Sequence, residues 1–145
     1  MINAVIPAAG EATRLKPLTS NCSKAMVRVH GKPTIEYIIE SIYNNTSDVH
    51  QIVIVDGKHN DIREWVSKSK YDNIKCVKQG SLNGPRDAIS VGIESLDSLL
   101  PLVVWLGDAI ILEENLPLGT NFLLTKQVED HFAWCMWNGQ TYFNK

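Results

Sequence analysis

Short apolar runs of strand length alternate with segments whose apolar residues recur at helical spacing. Residues 2–6, 51–55 and 74–77 are the first three runs. Between the first two, Ile35, Ile38, Ile39 and Ile42 make one stripe, which predicts a helix over 33–43 with Pro33 at its first position. Ile62, Trp65 and Val66 predict a helix over 61–68 that Asn60 would cap. Pro85 opens a third helix with Ala88, Ile89, Gly92, Ile93 and Leu96 along one side. Leu102 to Leu106 is apolar on both faces, the mark of a central strand covered by helices on each side. The order predicts an α/β, three-layer unit around a mostly parallel sheet. Further along, 109–119 is a loop or short helix broken by Pro117 and Gly119, and Phe122 to Thr125 is another strand candidate. The runs 132–137 and 141–143 flank Asn138-Gly139, a strong hairpin signal.

Two stretches lack any period. Residues 11–32 form a long loop with a short strand at 27–29, and such loops in compact domains usually carry function. The loop follows the small-residue turn Ala8-Ala9-Gly10, where little bulk keeps a ligand from the backbone amides. It contains two cations suited to phosphate, Arg14 and Lys24, with Lys16 a weaker candidate. The second stretch is Gln79 to Gly84. The Gln79 amide offers a donor and an acceptor for a base edge, and Gly84 lets a flat ring reach the backbone. Asp108 follows Gly107 at the carboxyl end of the most apolar strand. Ligand sites of open α/β sheets collect at that edge, and a lone carboxylate there suits a divalent metal that bridges phosphates. Taken singly, each has a plainer role: a helix cap, surface cations, a polar turn. Asp56, His59 and Asp61 also cluster, but at a spacing that matches no ligand pattern, and they read as a solvated loop.

Composition narrows the classes. A chain of 145 residues, 44% hydrophobic, supports one domain with a real core. A net charge of -2 argues against a nucleic-acid-coating surface. Cys22, Cys76 and Cys135 match neither a disulfide framework nor a zinc pattern, so a reducing, cytoplasmic setting is expected. The amino terminus lacks a signal-peptide pattern, and no apolar stretch nears the roughly 20 residues of a membrane helix. Neither a Walker lysine loop nor a G-x-G-x-x-G fingerprint is present, which speaks against a P-loop kinase or a dinucleotide dehydrogenase.

Residues 8–19, Ala-Ala-Gly-Glu-Ala-Thr-Arg-Leu-Lys-Pro-Leu-Thr, resemble the A-A-G-x-G-T-R-L-x-P-L-T signature of the nucleoside-diphosphate-sugar pyrophosphorylases, the sugar-1-phosphate nucleotidyltransferases. Lys24 resembles the lysine that follows the signature, Gln79 to Gly84 the base-contacting loop, and Leu106-Gly107-Asp108 the metal-binding L-G-D. The resemblance implies a Rossmann-like nucleotide-diphospho-sugar transferase fold. It implies in-line attack of a sugar-1-phosphate, or of a phosphomonoester such as phosphocholine, on the α-phosphorus of an NTP. Under it Asp108 holds Mg²⁺, and Arg14 and Lys24 serve the phosphates. The backbone of Ala8, Ala9 and Gly10, with Gln79 and Gly84, holds the base. Lys145 resembles the sugar-phosphate lysine of an E-K-P segment, with Asn144 in place of the glutamate. Residues 1–145 then correspond to the nucleotide-binding domain without the C-terminal sugar-binding portion, in which case the chain is a fragment or an inactive nucleotide-binding module. Ala12 departs from the signature glycine; its methyl is tolerated if φ is negative and otherwise narrows the loop. Pro85-Arg86 stands in place of a small pair. The expected partners are small molecules, with neither nucleic acid nor membrane, and an incomplete sheet edge makes a homo-oligomer plausible.

Overall fold

The computed structural model describes residues 1–81, 83–112, 114–118, 133–137 and 140–143. Four parallel strands build the main sheet: β1 (Ile2–Pro7), β4 (Val49–Asp56), β5 (Ile74–Lys78) and β6 (Leu102–Val104), in the order β5-β4-β1-β6. Between β1 and β4 come a small antiparallel pair, β2 (Arg28–Val29) and β3 (Lys32–Pro33), and helix α1 (Thr34–Asn45). Helices α2 (Asp61–Lys68) and α3 (Pro85–Glu94) complete the crossovers. Strands β7 (Ala133–Trp137) and β8 (Gln140–Phe143) pair antiparallel, with Trp137 opposite Gln140.

Strand pleating sends alternate side chains to opposite faces, and the two cores follow that alternation. On one face Ala4, Ile6, Ile52 and Ile54 meet Ile35, Ile38, Ile39 and Ile42 of α1 and Ile62 of α2. On the other, Val5, Val53 and Val55 meet Ala88 of α3. Each fully buried isoleucine contributes about 1.5–3 kcal/mol. That burial holds α1 together, since its β-branched residues are mediocre helix formers and its start has no side-chain cap. Close packing explains Gly92: a Cβ there would lie 2.4 Å from Val5 Cγ1.

The three-layer architecture agrees with the sequence reading, with several corrections. Pro33 does not open α1; it ends β3 in extended geometry, and Thr34 is the first helical residue. Its extended conformation serves the unanticipated β2–β3 hairpin, whose turn residues His30 and Gly31 both have positive φ. The 102–106 run is not the central strand. The sheet places β1 and β4 inside, and among the described residues β6 is a three-residue edge strand with Leu102 and Val104 exposed. Ile93 points outward, 42% exposed, because Ala88 and Gly92 form the tight contact of α3. The strand expected at 122–125 and the Asn138-Gly139 turn lie outside the described residues.

Candidate functional site

The chain runs outward from β1 through β4 to β5, then returns to pair β6 with the other edge of β1. Such a reversal opens a crevice beyond the carboxyl ends of the two strands that flank it. Here those strands are β1, which leads into Ala8-Ala9-Gly10, and β6, which leads into Trp105-Leu106-Gly107-Asp108.

The β1 exit is stitched to β4 on one side and to the β6 exit on the other. Ala8 N donates to Val55 O at 2.9 Å and Trp105 N to Val5 O at 2.9 Å. A Cβ on Gly107 would lie 2.7 Å from Pro7 O, so only glycine lets the Asp108 segment lie this close to β1. Across the loop, a Cβ on Gly57 would lie 2.4 Å from Ala9 O. Ala8 and Ala9 are buried, whereas Gly10 is exposed with open space beside it. Gly10 is thus the member of the turn whose backbone is open to a ligand.

Asp108 and Lys24 come together. The Lys24 ammonium pairs with the Asp108 carboxylate, although 84 residues separate them. Both side chains are about half exposed. Lys24 opens a 3₁₀ turn, Lys24–Met26, whose Ala25 is buried in the α1-side core. Arg14 sits on another 3₁₀ turn, Thr13–Leu15, and is exposed. Ala12, just before that turn, has φ 50°, so the condition of a negative φ fails: the departure from glycine falls on a left-handed backbone.

Gln79 and Gly84 stand at the carboxyl end of β5, two strands from β1, and they join each other. Gln79 Nε2 donates to Gly84 O at 3.4 Å and to Asp87 Oδ2 at 2.5 Å. Gln79 is buried, and Gly84 has φ 91° with open space beside it. Lys145 lies outside the described residues.

The Asp56–His59–Asp61 segment is not the solvated loop expected. Asp56 is 1% exposed and Gly57 N donates to its Oδ1 at 2.8 Å; burial raises its carboxyl above the usual range. Asp61 accepts from Ser23 N at 2.7 Å and from Ser23 Oγ at 2.6 Å. Asp61 and Asp87 therefore support residues at the site, and sequence spacing gave no sign of either contact. Between Ala9-Gly10 and Gly57-Lys58-His59 lies a cleft of about 90 Å³. It is smaller than the ~300 Å³ of a typical ligand pocket, so it serves as one wall of a site. Among the described residues no group of three or more His, Cys, Asp or Glu side chains is placed to hold a metal. Asp108 as a single carboxylate still fits Mg²⁺, which commonly uses one or two carboxylates and takes its other ligands from phosphates and water.

The parallel four-stranded sheet with helices on both faces, together with the solved structures that match it, gives the nucleotide-diphospho-sugar transferase fold. The family model described as nucleotidyl transferase matches residues 3–130, and the chain belongs to that family. Bifunctional protein GlmU of Methanocaldococcus jannaschii is 31% identical across 79% of this chain and 26% of its own. The UTP–glucose-1-phosphate uridylyltransferase of Staphylococcus haemolyticus is 45% identical across 77% of this chain and 46% of its own. The chain thus spans about half or less of these relatives. Among solved structures, the CTP:phosphocholine cytidylyltransferase LicC of Streptococcus pneumoniae matches with a TM-score of 0.69 at 25% identity, over 99% of this chain and 64% of its own. A UDP-glucose pyrophosphorylase complexed with UDP-glucose matches with a TM-score of 0.65 at 25% identity, over 81% and 49%. Among the described residues no helix is long and apolar enough to cross a membrane.

Proposed function

We propose that residues 1–145 are the nucleotide-binding domain of an enzyme that joins a nucleoside monophosphate, taken from an NTP, to a sugar-1-phosphate. A phosphate oxygen of the acceptor attacks the α-phosphorus in line, the Pα–O bond to the β-phosphate breaks, and pyrophosphate leaves with both electrons of that bond. The observation that carries the reading is the Lys24–Asp108 pair at the β1/β6 switch point.

Each residue has a role that its position supports. The open backbone at Gly10 receives the phosphate side of the nucleotide. Lys24, already held by an anion, turns its ammonium to the α-phosphate and to the acceptor phosphate. Arg14, exposed on its short turn, holds the departing pyrophosphate. Gln79 and Gly84 hold the base, while the buried Ala8 and Ala9 shape the turn that presents Gly10. Asp108 would hold Mg²⁺, which supplies charge neutralisation to the phosphates when bound. Positioning and charge are most of what phosphoryl-type transfer asks of a protein.

The uridylyltransferase and UDP-glucose pyrophosphorylase relatives favour a sugar-1-phosphate acceptor and a uridine nucleotide. The phosphocholine cytidylyltransferase, which matches over 99% of this chain, supports a second reading with phosphocholine as acceptor and CTP as donor. Calorimetry with Mg²⁺ and each of UTP, CTP, GTP and ATP tests the nucleotide site, with Asp108→Ala as the control. Saturable binding of one NTP that weakens in the variant supports the site; binding of none refutes it. Pyrophosphate release with glucose-1-phosphate against phosphocholine then separates the two acceptors.

A further inference from the structure

We infer that Asp61 is a positioning residue for Lys24. Its effect on nucleotide affinity rests on the function proposed above; its hold on Lys24 does not. Asp61 is the first residue of α2, on the far side of the β4 crossover from the phosphate loop. Both of its carboxylate oxygens are spent on one residue, Ser23: Oδ2 accepts from the backbone N at 2.7 Å and Oδ1 from the hydroxyl at 2.6 Å. Oδ1 also accepts from Ile62 N at 3.0 Å, which ties the carboxylate to its own helix. Ser23 is 6% exposed, and it precedes the Lys24 turn without capping it: its hydroxyl goes to Asp61 instead.

Ala25, on the other side of Lys24, is 1% exposed in the core beneath α1. Lys24 is therefore clamped at the backbone from both sides. One clamp is apolar packing; the other is a pair of charge-assisted hydrogen bonds, which are short and directional. The ammonium then meets Asp108 without the chain having to search for it. Lys24 sits on a 3₁₀ turn of only three residues, and its flexible stem of four carbons alone would not fix the charge. Asp61 touches neither Lys24 Nζ nor Asp108 in the contacts described; it acts through Ser23.

The test uses the 145-residue chain with its lysines reductively methylated with ¹³C-formaldehyde, which keeps their charge. The Lys24 signal is assigned with Lys24→Arg. Asp108→Asn, which removes the ion pair, should move the Lys24 signal to the free-lysine position. Asp61→Asn, similar in shape but unable to accept both bonds from Ser23, should move it in the same direction while other lysine signals stay. Ser23→Ala, which leaves the start of α2 intact, should do so as well and covers the case in which Asp61→Asn fails to fold. A Lys24 signal that neither Asp61→Asn nor Ser23→Ala moves overturns the inference, and so does one that Asp108→Asn does not move. A second arm measures MgUTP and MgCTP affinity. Asp61→Asn should weaken the bound nucleotide by about tenfold, and adding it to Lys24→Met should cost less than about twofold more, since coupled residues are non-additive. A full tenfold loss on top of Lys24→Met would show that Asp61 acts independently, against the inference. If neither nucleotide binds the unaltered chain, the proposed function fails, while the lysine spectrum still decides what Asp61 does.

Discussion

The Lys24 ammonium and the Asp108 carboxylate meet from loops that leave adjacent parallel strands, β1 and β6, at the point where the strand order reverses. With side chains 41% and 47% exposed, such a pair is worth about 0–1 kcal/mol to stability. Its value lies elsewhere. Lys24→Met and Asp108→Ala are each expected to leave the urea midpoint nearly unchanged while lowering Mg²⁺–NTP affinity at least about tenfold, the size of a lost charge-assisted contact. Paired denaturation and calorimetry check this. A large loss of stability with normal binding would make the pair structural.

Glycines at two contacts separate stability from function. Gly92→Ala should improve helix propensity by about 1 kcal/mol, yet its Cβ would meet Val5 Cγ1 at 2.4 Å and Val55 Cγ2 at 3.1 Å. Overpacking a core costs about 1–3 kcal/mol, so a net loss of stability is expected, read from the denaturation midpoint. Gly107→Ala would press on a backbone oxygen, Pro7 O, which cannot rotate away. It should push the Asp108 segment off β1 and weaken nucleotide binding more than its stability cost predicts.

The core and the layer order were legible because they depend on local periodicity. The stripe Ile35, Ile38, Ile39, Ile42 is buried in full, as its spacing required. The position of β6 was not legible, because an apolar run of three to five residues reads alike in a central strand and at an edge. Lys24 and Asp108 could be picked out by residue type and motif resemblance. Their contact spans 84 residues, so only the topology shows that they touch. For the same reason Asp61 read as part of a solvated loop and Asp87 was not singled out. Asp61 reaches a serine 38 residues away, and a carboxylate at the start of a helix looks like an ordinary first-turn acid.

Asp87 holds Gln79 in a defined orientation. Both described bonds of the Gln79 Nε2 group go to acceptors, Asp87 Oδ2 and Gly84 O, so in the proposed base contact its carbonyl oxygen is the group left to accept. Asp87→Ala is expected to cost about 1–3 kcal/mol, since it strips a buried amide of a charged partner. It should also reduce discrimination among the four NTPs, because the amide is then able to turn. Competition binding of all four nucleotides to the variant reads this directly; unchanged discrimination would remove Gln79 from base selection.

Ala12 carries its φ of 50° at a position where the signature glycine would stand. A left-handed residue with a Cβ costs about 1–2 kcal/mol, against the roughly 0.5–1 kcal/mol that glycine loses in chain entropy. Ala12→Gly should therefore stabilise slightly, by about 0.5 kcal/mol. The contact from Thr19 Oγ1 to Ala12 O, 2.8 Å, involves only the backbone at position 12 and should survive the change.

Asp56 gives the pH dependence its sign. It is 1% exposed, and burial, as the leading cause, raises its carboxyl above 3.8, opposed chiefly by the bond from Gly57 N. A group that binds its proton more tightly when folded favours the folded state fully below the unfolded value and loses that contribution as pH rises through the folded value. At neutral pH the buried charge is thus a cost. Asp56→Asn keeps an oxygen for Gly57 N and carries no charge, so it should unfold at higher urea than the parent at pH 7. The advantage should shrink as the pH falls through the raised folded value, where the parent's Asp56 takes up its proton. Urea midpoints for both proteins across that range are the measurement. An advantage that does not shrink with falling pH would mean that the gain comes from packing rather than from the removed charge.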